Sequence, residues 1–447
     1  MPKVVNWSHT VQCDPQCIAH PSSTEELADI VLDTKTYPGP LRPYGSYHST
    51  SDCARADGGT MVRLDKMRQI LEITDELVRV QAGALFIDVS AELQKRGLEF
   101  FINLEIGNVT MGSAACCASK DAAFPEGYGQ ISSYCTAMTM VRADGNVVKI
   151  DGSDPQLLRV ARSSYGLLGI VTEVSFRIRK IQAISIVHEK STIDEFIKDL
   201  PKFLAGPASI SYYLFTFIDR VIVQVRTPTD APGKPNRWVW KLRNMGVAYF
   251  VPIFAYLVSK LPGRWFRNLI AAIFYHGAVL GLNWFIRAKK TIGFDQTTRY
   301  KSNPGIGAFG FSLWGFPASE FGLVLKDYVE FEKNHYQATG YRSYMIAIGY
   351  HVTRDNNALF SYSEDEAVVT IDPTDNPGPG WERFMDAFNK FCSERGARPL
   401  LNQTPKLNKQ LLTTAFGGKV SEFESIRQSW DPQNRLLNPY FNQMLNP

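Results

Sequence analysis

Acidic residues are missing from one long stretch of this 447-residue chain. The chain holds 44 Asp and Glu, yet none lies between Ala231 and Phe294. Ten cations do: Lys234, Arg237, Lys241, Arg243, Lys260, Arg264, Arg267, Arg287, Lys289 and Lys290. They flank two apolar runs, 246–258 and 269–286. The first is too short to cross a bilayer, and the second is marginal and carries His276 and Asn283. Aromatic, cation-flanked segments without counter-acids suit a surface that dips into one lipid leaflet. Two buried helices with a basic outer face would give the same pattern, and the sequence leaves both readings open.

Other absences exclude whole classes. There is no Cys-x-x-Cys among the seven cysteines, and Cys13 and Cys17 with His9 and His20 match no zinc spacing, so no metal site is expected. An odd number of scattered thiols reads as a reduced, cytoplasmic protein, with peripheral membrane contact through 231–294 under the first reading above. The opening Met1-Pro2-Lys3-Val4-Val5-Asn6-Trp7 has no apolar h-region, so no secretory signal is expected. A formal net charge of +4, with no helix-turn-helix or RNA-binding signature, gives no reason to expect nucleic acid. Low-complexity tracts and internal repeats are lacking too.

What is present describes a globular α+β protein. Hydrophobic residues make up 45% and charged residues 21%, and the length calls for two domains. Ser23 or Thr24 caps a helix over 24–34, ended by Pro38-Gly39-Pro40. Strands are predicted at 60–64, 77–82 and 170–178, a helix at 86–96, and a hairpin of 136–142 with 147–150 around Asp144-Gly145. After Lys180 the texture changes. Strands near 183–188, 210–217, 221–226, 307–314, 344–352 and 367–371 alternate with helices over 192–204, 319–335 and 380–395, which describes a largely antiparallel sheet.

Three stretches of small residues carry the chemical signal. The first is Arg42, Pro43, Tyr44, Gly45, Ser46, Tyr47, His48, Ser49 and on to Asp52. The second runs over 106–119 and on to Gly127–Ile131, and holds Gly107, Val109, Thr110, Gly112, Ser113, Ala115, Cys116, Ser119, Gly129 and Ile131. The third, 164–174, includes Gly169 and Val171 ahead of a strand. None of the three is Gly-x-Gly-x-x-Gly or a P-loop. Such loops let backbone approach a flat ligand and aim N–H groups at a pyrophosphate, so together they describe a nucleotide cofactor lying extended across them.

The order and spacing of these segments resemble the FAD-binding domain of the vanillyl-alcohol-oxidase and p-cresol-methylhydroxylase superfamily. The resemblance covers 16–180 and about 400–445. It rests on Pro21-Ser22-Ser23-Thr24-Glu25-Glu26-Leu27, the 42–52 loop, the run from Gly58 to Met67, and 166–174. The ending, Trp430-Asp431-Pro432 and Leu437-Asn438-Pro439-Tyr440, looks like that of aldonolactone and alditol oxidases. The resemblance implies a two-lobed FAD domain over 1–180, a substrate cap over 181–414 and a segment, 415–447, returning to the FAD domain with Asn438 among the cofactor-binding residues. It also implies an FAD held covalently by His48, with oxygen or a quinone as electron acceptor.

On the substrate side the chain departs from that pattern. Sugar-oxidising relatives carry Glu-x-Arg on a central cap strand, and the matching positions here are Gly349 and His351. A His-Trp motif is replaced by Leu400-Leu401-Asn402-Gln403-Thr404-Pro405-Lys406. These losses point to a less polar substrate, and the expected activity is oxidation of an alcohol, or dehydrogenation, on a hydrophobic or lipid-linked molecule by hydride transfer to flavin. His351 and Tyr350 are candidates for proton transfer, and as strand neighbours only one can face the flavin. Gln403, Thr404 and Lys406 share the place where relatives acting on a lipid-linked sugar put a catalytic lysine. The competing activity is an NADPH-dependent reductase of lipid or sterol alkenes, against which His48 argues.

Overall fold

The computed structural model describes residues 3–119, 121, 123–230, 237–285, 291–300 and 304–446. Lys234, Arg287, Lys289 and Lys290 lie outside the described residues.

The N-terminal part folds as two small lobes. In the first, Thr60–Arg63 is the central strand of a parallel sheet, between Cys17–Ala19 and Leu41–Tyr44. Leu41–Tyr44 is thus a strand, although the sequence reads it as the start of a loop. The helix Thr24–Leu32 begins where Ser23 accepts the Glu26 N–H. In the second lobe an antiparallel sheet runs Val147–Asp151, Cys135–Val141, Ile170–Lys180, Leu77–Gln81, Ile70–Ile73. The predicted hairpin is there, and Gly145 supplies its positive φ of 78°.

The cap is an eight-stranded antiparallel sheet, and both of its faces are covered. Strand alternation sends neighbours to opposite sides. Tyr212 meets Phe196 and Phe321, on the helices Ile193–Ala205 and Phe321–Thr339. Tyr213 instead joins a cluster with Ala255, Val258, Ala271 and Tyr275. That second cluster belongs to a helical hairpin formed by the acid-free stretch.

The first arm of the hairpin runs from Arg237 to Lys260 with a π turn at Gly246–Phe250, and Arg264–Phe285 is the second. The helix is longer than the apolar run 246–258 suggests: Trp238–Lys260 is long and apolar enough, by length and composition, to cross a bilayer. It is not free to do so alone, because Trp240, Ala248, Ala255 and Val258 are buried. The outer side is bare. Trp265, Ile273 and Leu280 are 76%, 61% and 67% exposed and, spaced eight and seven residues apart, share one helix face. Phe250 and Leu257 are exposed likewise on the first arm.

The C-terminal residues reach back to the first lobe. Leu41 N–H donates to the Arg435 carbonyl at 2.8 Å, and Asn438 Nδ2 donates to the carbonyls of Asp52, Cys53 and Arg55.

Candidate active site

The site begins where chain segments approach more closely than side chains allow. A Cβ on Gly45 would stand 2.5 Å from Thr110 Oγ1, so the loop after Tyr44 runs directly against loop 106–110. Gly112 presses on Ala82 in the same way, with only 3.0 Å for an added Cβ. Between these backbones lies a trough of three connected chambers.

The first chamber, about 330 Å³, is walled by Tyr44, Gly45, Ser46, Thr110, Gly112, Ser113, Cys116 and Val171, with Arg63 and Arg68 at its edge. The second, about 80 Å³, adds Arg42, Tyr47, His48, Ser49 and Val109. The third, about 160 Å³, opens under the cap sheet and includes Ser119, Tyr350 and Gln403. Ser113 and Cys117 line all three, and Val109, Asn402 and Gln403 join the second to the third. An extended dinucleotide with its ring system at the inner end suits this shape.

His48 is the clearest mark of the ring position. It is 8% exposed, and neither ring nitrogen has a hydrogen-bond partner among the described residues. Trp7 packs on it with ring centroids 5.4 Å apart. Burial, opposed in part by the nearby Asn108 amide, pushes its pKa down to about 4, so the imidazole is neutral near pH 7. A buried, unpartnered imidazole facing a cavity fits a ring system seated against it.

Several candidates support the trough through contacts with the protein itself. The Arg42 guanidinium, on the wall of the second chamber, is spent on the carbonyls of Cys53, Tyr165, Gly166 and Leu436. It ties strands together and is corrected from ligand to brace. Gly107 packs against Ile87 and Thr297, Gly129 against Val352 and Thr353, and Gly169 against Met140 and Val141. Ala115 and Ile131 are core residues, and Asn438 buttresses the loop at 52–55. Each holds the loops in place by packing or bonding to protein.

Two catalytic candidates are displaced. Tyr350 faces the third chamber, whereas His351 points to the opposite side of the sheet, the side on which Gly349 abuts the Tyr212 ring. The positions on the chamber side are therefore 348 and 350, one residue out of phase with the match at 349 and 351. Burial lowers the His351 pKa to about 4, and its Nδ1 is unpartnered in the core. Lys406 is at the surface, paired with Glu382 at 2.9 Å and Asp386 at 3.0 Å. Thr404 donates to the Leu313 carbonyl, which leaves Gln403 at the chamber junction.

Sequence reasoning missed a polar cluster on one side of the third chamber. Glu105 accepts from Arg243 Nη1 at 3.0 Å and from the Tyr300 hydroxyl at 2.9 Å on one oxygen, and from the Tyr350 hydroxyl at 3.3 Å on the other. Arg243 also bonds the Tyr213 hydroxyl. Burial holds the Tyr300 and Tyr350 pKa values well above the usual phenol range, so both keep their protons. The rest of the wall is apolar, with Trp7, Leu104, Ile106, Phe309, Phe311 and Ile348. Glu105 sits one residue before the second small-residue stretch, and Arg243 reads in sequence as one more surface cation.

A Gly-x-Gly-x-x-Gly spacing does occur, at Gly305, Gly307 and Gly310. There a 3-10 turn leads into the short cap strand Gly310–Phe311, not the strand-to-helix turn of a dinucleotide fingerprint.

Comparison with known proteins agrees with this geometry. Residues 15–151 match the FAD binding domain family, and residues 313–444 match the D-arabinono-1,4-lactone oxidase family. Neither match reaches 152–312, which contains the hairpin. The chain is 22% identical to L-gulonolactone oxidase of Scyliorhinus torazame, over 98% of this chain and 97% of that protein. It is 24% identical to that of Bos taurus, over 99% and 98%. It is 22% identical to a putative D-arabinono-1,4-lactone oxidase of Neurospora crassa, over 98% and 85%. Among solved structures it resembles cholesterol oxidase from Brevibacterium sterolicum, with a TM-score of 0.79, 14% identity and coverage of 99% and 96% of the two chains. That likeness shares the fold. The chain is an FAD-dependent oxidoreductase with an FAD-binding domain over 15–151, and it is similar over nearly its whole length to aldonolactone oxidases.

Proposed function

We propose that this enzyme oxidises an alcohol carbon on a predominantly hydrophobic molecule, working at a membrane surface. The observation that carries the reading is the third chamber: an apolar, aromatic wall with one polar side made by Glu105, Tyr300, Tyr350 and Arg243. An alcohol oxygen placed there meets a carboxylate able to take its proton, and phenols able to orient it. Arg243, 3.0 Å from Glu105, balances its charge and fixes the carboxylate in the chamber wall. Gln403, at the chamber junction, can donate an amide hydrogen bond to substrate or cofactor. FAD, when bound, supplies the hydride acceptor. His48 is the residue to which the flavin is covalently attached in this reading. The exposed apolar face of the hairpin and its cations seat the enzyme on anionic lipid.

Anaerobic flavin bleaching tests the chemistry. A medium-chain primary alcohol such as decanol should bleach the visible flavin band. If only L-gulono-1,4-lactone does so, the enzyme follows its lactone-oxidising relatives instead; if only NADPH does so, it is a reductase. Flotation with anionic vesicles at low salt tests the surface. Protein that stays at the bottom of the gradient would make the hairpin an ordinary part of the cap.

A further inference from the structure

The two arms of the hairpin meet where Phe254 stacks on Phe274, and part beyond that contact. Between them lies a cleft of about 350 Å³ whose walls include Trp238, Leu242 and Gly246 on one arm and Phe274, Ala278 and Gly281 on the other. Residues 274, 278 and 281 fall on a single helix face, so the second arm turns one continuous apolar strip toward the opening. The mouth is at the exposed side, where Trp238 is 63% exposed. Its inner end meets the catalytic cavity. Val247 lines both the cleft and the third chamber. Ile346, on the cleft floor, and Ile348, on the chamber wall, are two residues apart along one chain segment and so share a face. Arg243 lines the cleft and places its guanidinium on Glu105.

The cleft is also kept open by the choice of residues. A Cβ at Gly246 or Gly281 would meet no atom within 4 Å. Glycine weakens a helix by about 1 kcal/mol relative to alanine, and neither position is sterically forced to be glycine. What the missing side chains leave is room.

We propose that this cleft binds the alkyl or isoprenoid chain of the molecule being oxidised, which enters from the lipid surface with its alcohol leading into the third chamber. The inference rests on the hydrophobic-alcohol reading above and adds where the chain lies. A hydrocarbon occupant fits a wall that is almost wholly apolar, and the exposed cation Lys241, one helical turn from Trp238, suits an anionic lipid surface at its mouth.

Straight-chain primary alcohols from butanol to hexadecanol, titrated into the oxidised holoprotein, test it through the shift of the flavin absorption band. Affinity should rise up to about fourfold per added methylene until the cleft is filled, the factor equivalent to 0.8 kcal/mol per buried group. In Gly281→Leu and Ala278→Phe the rise should stop several carbons earlier. In wild type, 12-bromododecan-1-ol should quench a tryptophan emission that Trp238→Phe removes. The same plateau in wild type and both filled variants overturns the proposal, as does bromine quenching that Trp238→Phe leaves intact. Chain-length-dependent binding without anaerobic bleaching would sink the alcohol-oxidation reading while leaving the chain site in place.

Discussion

The trough proposed for the cofactor and the chamber proposed for the substrate are built in different ways. Trough walls come from short runs of small residues, 42–49 and 109–117, where backbone is the contact surface. The chamber takes Glu105 from the FAD half, Arg243 from the hairpin, Tyr300 from the segment after it and Tyr350 from the cap sheet. A cofactor used by a whole superfamily can be bound by local backbone geometry. A substrate particular to one enzyme is met by side chains that only the tertiary fold brings together.

Substitutions can sharpen that contrast or break it. The largest effect is expected in the trough. His48→Ala should abolish covalent flavin, so that acid denaturation releases all the yellow colour to the supernatant while the circular dichroism spectrum stays native. Added FAD mass retained on intact His48→Ala protein would break the assignment. In the chamber, Glu105→Gln should lower kcat by about 10²- to 10⁴-fold, the span of general-base removal, with flavin content unchanged. Activity near wild type would place the base elsewhere.

Behind the sheet the effect should be on stability alone. His351 has its pKa lowered from 6.5 to about 4 by burial, so the unfolded chain binds the proton more readily. Folding stability should therefore be complete above pH 6.5 and fall as pH drops toward 4, by up to about 3 kcal/mol from this residue. Urea titrations should show a shallower decline over that window in His351→Asn. A loss of turnover at neutral pH greater than its loss of stability would return His351 to the active site. The smallest effect belongs to Lys406. Its partly exposed pairs contribute at most about 1 kcal/mol, so Lys406→Met should leave melting and turnover nearly unchanged.

These cases also show what the sequence could carry. The strand and helix alternation was legible, as were the small-residue loops, because each is a local pattern. The phase of the strand Ala347–Val352 was not. Both of its faces are buried, so no polar alternation reveals which of Tyr350 and His351 looks toward the flavin. Arg243 was hidden for a related reason. It lies in a run of cations, and only its helical phase, three residues after the buried Trp240, turns it inward. The hairpin's first arm was underestimated because the apolar run stops at polar residues that the helix continues through.

The clasp between residue 42 and residue 436 has a consequence for biosynthesis. Arg42 is fully buried, and one of its carbonyl acceptors belongs to Leu436. Until that distant stretch has left the ribosome, the guanidinium has no complete set of acceptors and the first lobe lacks a side. The earliest-made part of the polypeptide is therefore among the last to settle, and nascent chains must be kept from aggregating through nearly the whole of translation.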